Sequence, residues 1–593
     1  MKRRRPVQLS ILSKIFGLDL RSLAAFRVGV ALFIIADLVS RSLNLTAHYT
    51  DDGVLPRLWA NQYFTGNALF SLWNPAVLSM HMLTGSFAGT AAIFLVHGLA
   101  AIALLLGFRT RLFTFIVWFL LSSLHARNPL VLSVGDDVLR VLLFFAIFLP
   151  LGARYSIDAA LNSAKKDDSD TYFSPSTAAY CLQFIAIYFF SALLKSGPEW
   201  RAEGTALYYA FNFDQFALAA GKALLAQPDF LRVLSFSVWW IELLGAFILL
   251  VPHRVARLFG ITLFASLQFG IAMTLALGHN PIINTIVLFP FLPGSVWRRR
   301  ERALPKIEII YDGDCGFCRK AVMVLVEFLR PRLIDDPRPA QGKDLLILRR
   351  ENSWIVRSEG APDAFRFDAL VRCIAASPLL FWTAPFFRLG VVQRIGTWVY
   401  RWVASHRGFN ARLFSFLRFR PVGLRLPAVV ESIAVFLLAC VILYNAAWVT
   451  PLNPLPAVLE FPILLSRLEQ YWGMFAPAPN RDDGWYVVEG RLRNGSQVDA
   501  LRKTSEISYE KPRAAADFYP DERWRRYMIN IGTRDQRQFR EPFTSYVCRD
   551  WNGSHTGAEH LDGLSLFFMS ETSRPPGQPI DVVKQNFRDH ACR

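Results

Sequence analysis

At 593 residues, with 53% hydrophobic residues, 49 Phe and a positive mean hydropathy, the chain is too apolar for a string of soluble domains and reads as a polytopic membrane protein with soluble additions. The formal net charge of +18 could suit nucleic acid, but the basic residues cluster beside apolar runs, so a lipid bilayer is the expected partner and nucleic acid is not. Seven Cys exclude a disulfide scaffold in a chain this long, and only Cys315 and Cys318 are closely spaced, which points to redox or metal chemistry.

Lys2, Arg3, Arg4 and Arg5 precede an apolar run without a small-residue cleavage site, so an uncleaved first helix is expected. Runs long enough to span fall at about 23–40, 87–107, 111–127, 131–152, 176–195, 231–251 and 256–277. An eighth, 280–296, is short, carries Pro281, Pro290 and Pro293, and either spans or re-enters. With eight spans the basic clusters at the N-terminus, Arg109 with Arg111, Lys165 with Lys166, Arg254 with Arg257, and Arg298 with Arg299 and Arg300 share one side. The positive-inside rule makes that side cytoplasmic. A soluble segment follows on the same side, then Arg418, Arg420 and Arg425 precede a ninth run at 427–449 that carries the rest of the chain across.

The expected architecture is a polytopic α-helical membrane bundle of about eight spans over 1–302 and an inserted α/β thioredoxin-like domain over 303–425. A further transmembrane helix over 426–450 leads to a mostly-β extracytoplasmic domain over 451–593, the whole sitting in the cell (inner) membrane. In the last domain, strands over 485–493 and 496–501 flank Asn494-Gly495, a type I′ hairpin signal. Cys548 and Cys592 either form a disulfide there or are two free thiols; the sequence leaves both open.

Lys306-Ile307-Glu308-Ile309-Ile310-Tyr311 alternates like a strand, and Ala321-Val322-Met323-Val324-Leu325-Val326 runs as an apolar helix. Cys315 therefore falls at a helix start, where unpaired N–H groups and the positive dipole end stabilise a thiolate, so it is the expected nucleophile. Cys318, one turn along, is placed to resolve a mixed disulfide. A strand, a turn with two cysteines and a helix make a thioredoxin-like arrangement, although 331–343 looks like loop where another strand is expected. The competing reading is half a metal site; its two further ligands are lacking where His and Cys are sparse, so no metal is expected. The run Tyr311-Asp312-Gly313-Asp314-Cys315-Gly316-Phe317-Cys318 resembles the DCC family of thiol-disulfide oxidoreductases, and the likeness extends through Ser358 and Phe367-Asp368-Ala369-Leu370 to about Arg407. It implies a thioredoxin-like domain using Cys315 and Cys318, with Asp312 and Asp314 at the turn and a thiol/disulfide protein as partner.

Ionisable residues inside spans are costly and default to functional candidates; here they are Arg27, Asp37, His97, Asp136, Asp137, Arg140 and Glu242. Asp136 and Asp137 lie four and three residues before Arg140, so a salt bridge within one helix accounts for much of that group. Lys195 ends the fifth span on the outer side and leads into Ser196-Gly197-Pro198-Glu199-Trp200. It is either a desolvated base or a snorkelling helix-end lysine. Together with Ala25-Phe26-Arg27, Leu139-Arg140, Ala206-Leu207-Tyr208-Tyr209 and Trp472-Gly473-Met474-Phe475-Ala476-Pro477, these residues resemble the HTTM family, bacterial proteins related to the vitamin K-dependent γ-glutamyl carboxylase. The resemblance implies Lys195 as a base on a quinone or reduced vitamin K. Asp136 stands where that family carries an essential histidine.

Three functions follow as expectations. The first is membrane redox chemistry through the dithiol, with a quinone as a further partner of the bundle. The second is a carboxylase-like enzyme using Lys195 on an extracytoplasmic peptide, and the third is a non-enzymatic transporter or export accessory.

Overall fold

The computed structural model describes residues 11–64, 79–164, 169–298, 304–451, 455–512, 518–575, 578 and 581–592; the basic clusters at 2–5, 165–166 and 299–300 lie outside them. Six helices are long and apolar enough to cross a membrane: Leu20–Ser42, Phe87–Leu106, Pro175–Leu194, Pro228–Leu250, Arg254–Thr274 and Ala428–Val449. They coincide with six of the nine apolar runs.

The other three runs depart from span-length helices for local reasons. The run at 111–127 is the helix Thr110–Arg127, shortened in its apolar reach by Arg111, His125 and a buried Arg127 that donates to the carbonyls of Leu55 and Thr50. The run at 131–152 yields only Val134–Ala146, because Pro129 opens a separate turn and Ser133 with Asp136 forms a capping box that starts the helix late. The run at 280–296 breaks into Asn280–Ile286 and a 3₁₀ turn at Phe289–Phe291, since Pro290 has no N–H to continue the ladder. Five helices long and apolar enough to cross a membrane therefore precede residue 302 among the described residues, and shorter or more polar helices occupy the other three expected runs.

Two short strands, β1 (Leu18–Asp19) and β2 (Thr171–Tyr172), pair antiparallel and tie the start of the first long helix to the approach of the Pro175–Leu194 helix. The inserted segment builds a sheet in the order β4-β3-β5-β6 from β3 (Ile307–Tyr311), β4 (Arg338–Pro339), β5 (Ile355–Ser358) and β6 (Ala361–Phe365). β3 and β4 are parallel and the other neighbours antiparallel. The stretch read as loop at 331–343 thus holds a strand, two residues long, too short for alternation to reveal. The segment has its own core of Ile307, Ile309, Val322, Val356, Ala369 and Cys373.

The tail is strand-rich, as expected, and holds helices as well. Its sheet, β10-β9-β7-β8, uses β7 (Asp482–Leu492), β8 (Gln497–Asp499), β9 (Leu561–Thr572) and β10 (Val582–Ala591). Between β8 and β9 stand the helices Glu522–Gly532, capped by Asp521, and Arg540–Ser554. The Glu522–Gly532 helix buries Tyr527, Met528 and Ile531 together with Arg523 and Arg525, so its inward face carries charge as well as apolar side chains. The expected hairpin forms, but only Gly495 has positive φ (87°) and its N–H closes on the Leu492 carbonyl at 3.0 Å, so the turn is not type I′. One hydrophobic core runs without a break from Phe26, Tyr180 and Phe184 of the bundle to Tyr486, Tyr527 and Phe543 of the tail.

Candidate functional site at the dithiol turn

β3 delivers the chain to Asp312, whose carboxylate accepts the Asp314 N–H at 3.1 Å and tightens the turn. Cys315 is the N-cap of the Gly316–Leu329 helix, and its Sγ accepts the Cys318 N–H at 3.2 Å. The sulfurs of Cys315 and Cys318 are bonded, with their Cα atoms 5.2 Å apart. A helix N-terminus directs unpaired N–H groups at Sγ, and the same donors that hold the disulfide would hold a thiolate after reduction.

The surroundings are apolar on one side and charged on the other. Tyr311, Phe317, Leu325, Trp354 and Tyr400 line a cavity of about 170 Å³ beside Cys318. Arg407 closes its edge, reaching Asp312 at 3.5 Å and the Asn352 side chain at 2.8 Å. Phe317 stacks on Phe414 at 6.3 Å. Asp314 is exposed and turns to solvent. Ligand atoms of Asp312, Cys315 and Cys318 lie within 4.8 Å of one another, but sulfurs bonded to each other are not free thiolate ligands, so the geometry favours redox use over a metal. Cys373, in the core behind the sheet, has its thiol pushed up by burial and takes no part.

Residues 309–412 match the family described as DCC1-like thiol-disulfide oxidoreductase. The inserted segment is a DCC1-like thiol-disulfide oxidoreductase domain. No curated protein and no solved structure matches the chain. Within the DCC1-like domain, sequence reasoning found Cys315, Cys318, Asp312 and Asp314. It missed Trp354, Tyr400 and Arg407, which come from distant elements and carry no local motif.

The other candidates stand apart from the dithiol. Lys195, at the C-cap of Pro175–Leu194, is 1% exposed, so it does not snorkel. Its Nζ pairs with Glu242 and donates to Ser191 Oγ at 2.8 Å, 5.4 Å from the Trp200 ring. The 195–200 run meets the 472–477 run of the tail here: Trp200 donates to the Phe475 carbonyl at 2.9 Å and Gly197 to the Pro477 carbonyl at 2.9 Å.

Only half of the expected Asp136, Asp137 and Arg140 arrangement forms. Asp137 meets Arg140 at 2.7 Å, and Arg140 continues to Glu469 at 2.8 Å. Asp136 turns away to Arg41 at 2.8 Å and to Arg523 of the tail at 2.5 Å, while Asp37 bonds the same two arginines at 2.7 and 3.1 Å. Arg523 had no sequence signal, because nothing local marks a tail arginine that enters the bundle.

Proposed function

We propose that the chain is a membrane-embedded thiol–disulfide oxidoreductase in which Cys315 is the attacking sulfur and Cys318 the resolving one. The observation that carries this reading is the helix-capping Cys315, bonded to Cys318 beside an apolar groove, in a DCC1-like domain. The β3-helix-β4-helix-β5-β6-helix order, with β3 beside both β4 and β5, supports a thioredoxin-like core. In the reducing direction, the Cys315 thiolate attacks a disulfide of a partner protein, forming a mixed disulfide and releasing one partner thiol. The Cys318 thiolate then attacks the Cys315 sulfur, closing the intramolecular disulfide and releasing the second partner thiol. Two electrons pass to the partner for each pair oxidised, and a dithiol reductant restores the pair. The attachment of this segment beside the basic pair Arg109 and Arg111, where Arg111 donates to the Leu424 carbonyl and Phe416 packs on Phe108, supports placing this domain on the cytoplasmic face and the tail on the other.

The test is reduction of a disulfide-bonded model protein by the pre-reduced full chain in lipid nanodiscs. One disulfide reduced per protein, lost on Cys315→Ser, supports the reading; turnover unchanged by that variant ends it.

A second reading, base chemistry at Lys195 on a quinone or reduced vitamin K with an extracytoplasmic peptide as substrate, is favoured by the burial of Lys195 against Glu242 and Trp200. The fit is poor as it stands: Nζ is committed to Glu242 and Ser191, so no step is routed through it. Quinone-dependent activity abolished by Lys195→Ala would revive it. A transporter role would instead appear as flux in liposomes that survives Lys195→Ala and fails on Asp137→Ala.

A further inference from the structure

Between Asp368 and Glu431 the chain carries nine arginines, no lysine and no acidic residue. Inside that stretch the Gly390–Ser405 helix is inverted relative to a helix of a soluble domain. Its inner face packs on the DCC1-like core, with Gly396 admitting the Phe367 ring and Tyr400 and Val403 lining the groove beside Cys318. Its outer face is apolar as well: Val391 and Trp398 are each 68% exposed, with Ile395 and Trp402 between and beyond them and Arg394 and Arg401 alongside. Trp382 and Phe386 before the helix and Phe409 and Leu413 after it extend the same exposed apolar character.

Water is a poor neighbour for such a face, and its composition selects the neighbour. Tryptophans and aliphatic residues flanked by Arg394 and Arg401, with no acid in the stretch itself, suit the headgroup boundary of an anionic bilayer. The attachment agrees. Phe416 packs on Phe108 at 5.7 Å, two residues beyond the end of the Phe87–Leu106 helix, Arg420 bonds Asp158 at 2.6 Å, and Arg111 donates to the Leu424 carbonyl at 2.7 Å. The stretch is thus fastened to the end of the bundle where span-length helices stop, just before Ala428–Val449 begins.

We propose that the outer face of the Gly390–Ser405 helix, with its apolar flanks, lies on the bilayer and binds anionic lipid headgroups. This rests on the membrane reading above. Because the other face of the helix walls the groove beside Cys318, docking fixes that groove at the membrane surface and directs it toward thiols presented there.

The test uses the full chain in vesicles of phosphatidylcholine with phosphatidylglycerol or of phosphatidylcholine alone, with spin labels on Ile395→Cys, Trp398→Cys, Leu99→Cys and, as the aqueous control, Arg350→Cys, whose native side chain is exposed. Native cysteines do not compete, since four are in disulfides and Cys181, Cys373 and Cys440 are buried. In anionic vesicles the labels at 395 and 398 should meet lipid-soluble oxygen in preference to an aqueous nickel reagent, like the label at 99 and unlike that at 350. Arg394→Gln and Arg401→Gln should each lower the docked-to-undocked ratio about fivefold. Labels at 395 and 398 that stay aqueous while 99 is in lipid overturn the proposal, as does protection that grows with protein density, which would mean a second copy. An aqueous label at 99 overturns the membrane reading itself.

Discussion

The dithiol turn and the charged layer between bundle and tail use ionisable groups in opposite ways. At the turn, Cys315, Asp312 and Asp314 are half-buried or exposed, and their partners lie within a few residues apart from Arg407. In the layer, Asp37, Asp136, Arg41 and Arg523 are all buried and answer one another across nearly 490 positions of sequence. Groups left available are suited to exchange, whereas groups saturated by one another are suited to holding two parts together. A charge within an apolar helix is therefore a weak sign of chemistry until its partner is known.

Substitutions should separate these two uses. Arg523→Ala leaves Asp37 and Asp136 sharing Arg41 alone, and loss of one partner from a buried pair should cost about 3–5 kcal/mol, read by chemical unfolding in detergent. Removing the Cys548–Cys592 bond, which joins residues 44 apart, should cost about 4 kcal/mol by chain entropy, whereas Cys315→Ser should cost less because its loop spans only three. That contrast sharpens the division, since the first pair clamps the Arg540–Ser554 helix to the end of β10 and the second serves exchange.

The next effect is one of pH. Burial, with Asp214 and Glu571 nearby, pushes the Asp483 carboxyl up to about 7 from 3.8. The folded chain then keeps a proton the unfolded chain has lost, so stability falls as pH rises through this window and levels off above 7. The change should be about 3 kcal/mol between pH 5 and 8, and Asp483→Asn should flatten it. Smallest is Asp312→Asn, which loosens only a 3.5 Å contact to Arg407 and should cost under about 1 kcal/mol while slowing thiol exchange.

The dithiol turn was legible because its chemistry is local: a strand, two cysteines one turn apart and a helix occupy 307–329. Six long helices were legible for the same reason, each being a continuous apolar run. The shortened Val134–Ala146 helix was not, because a capping box within an apolar run does not interrupt its hydropathy. The Glu522–Gly532 helix buries two arginines that read as surface. The partners of Asp136 were out of reach altogether, since the nearer fourth-residue pairing with Arg140 is what spacing alone suggests. The pairing of Cys548 with Cys592 needed the packing of a helix against a sheet edge to be decided.

The central claim is that Cys315 attacks and Cys318 resolves, and mixed-disulfide trapping tests it most directly. In membranes from cells expressing the full chain, Cys318→Ser should accumulate a reductant-sensitive adduct through Cys315, while Cys315→Ser should accumulate none. Adducts on Cys315→Ser alone, or on neither variant while the native pair never becomes oxidised, would contradict the account.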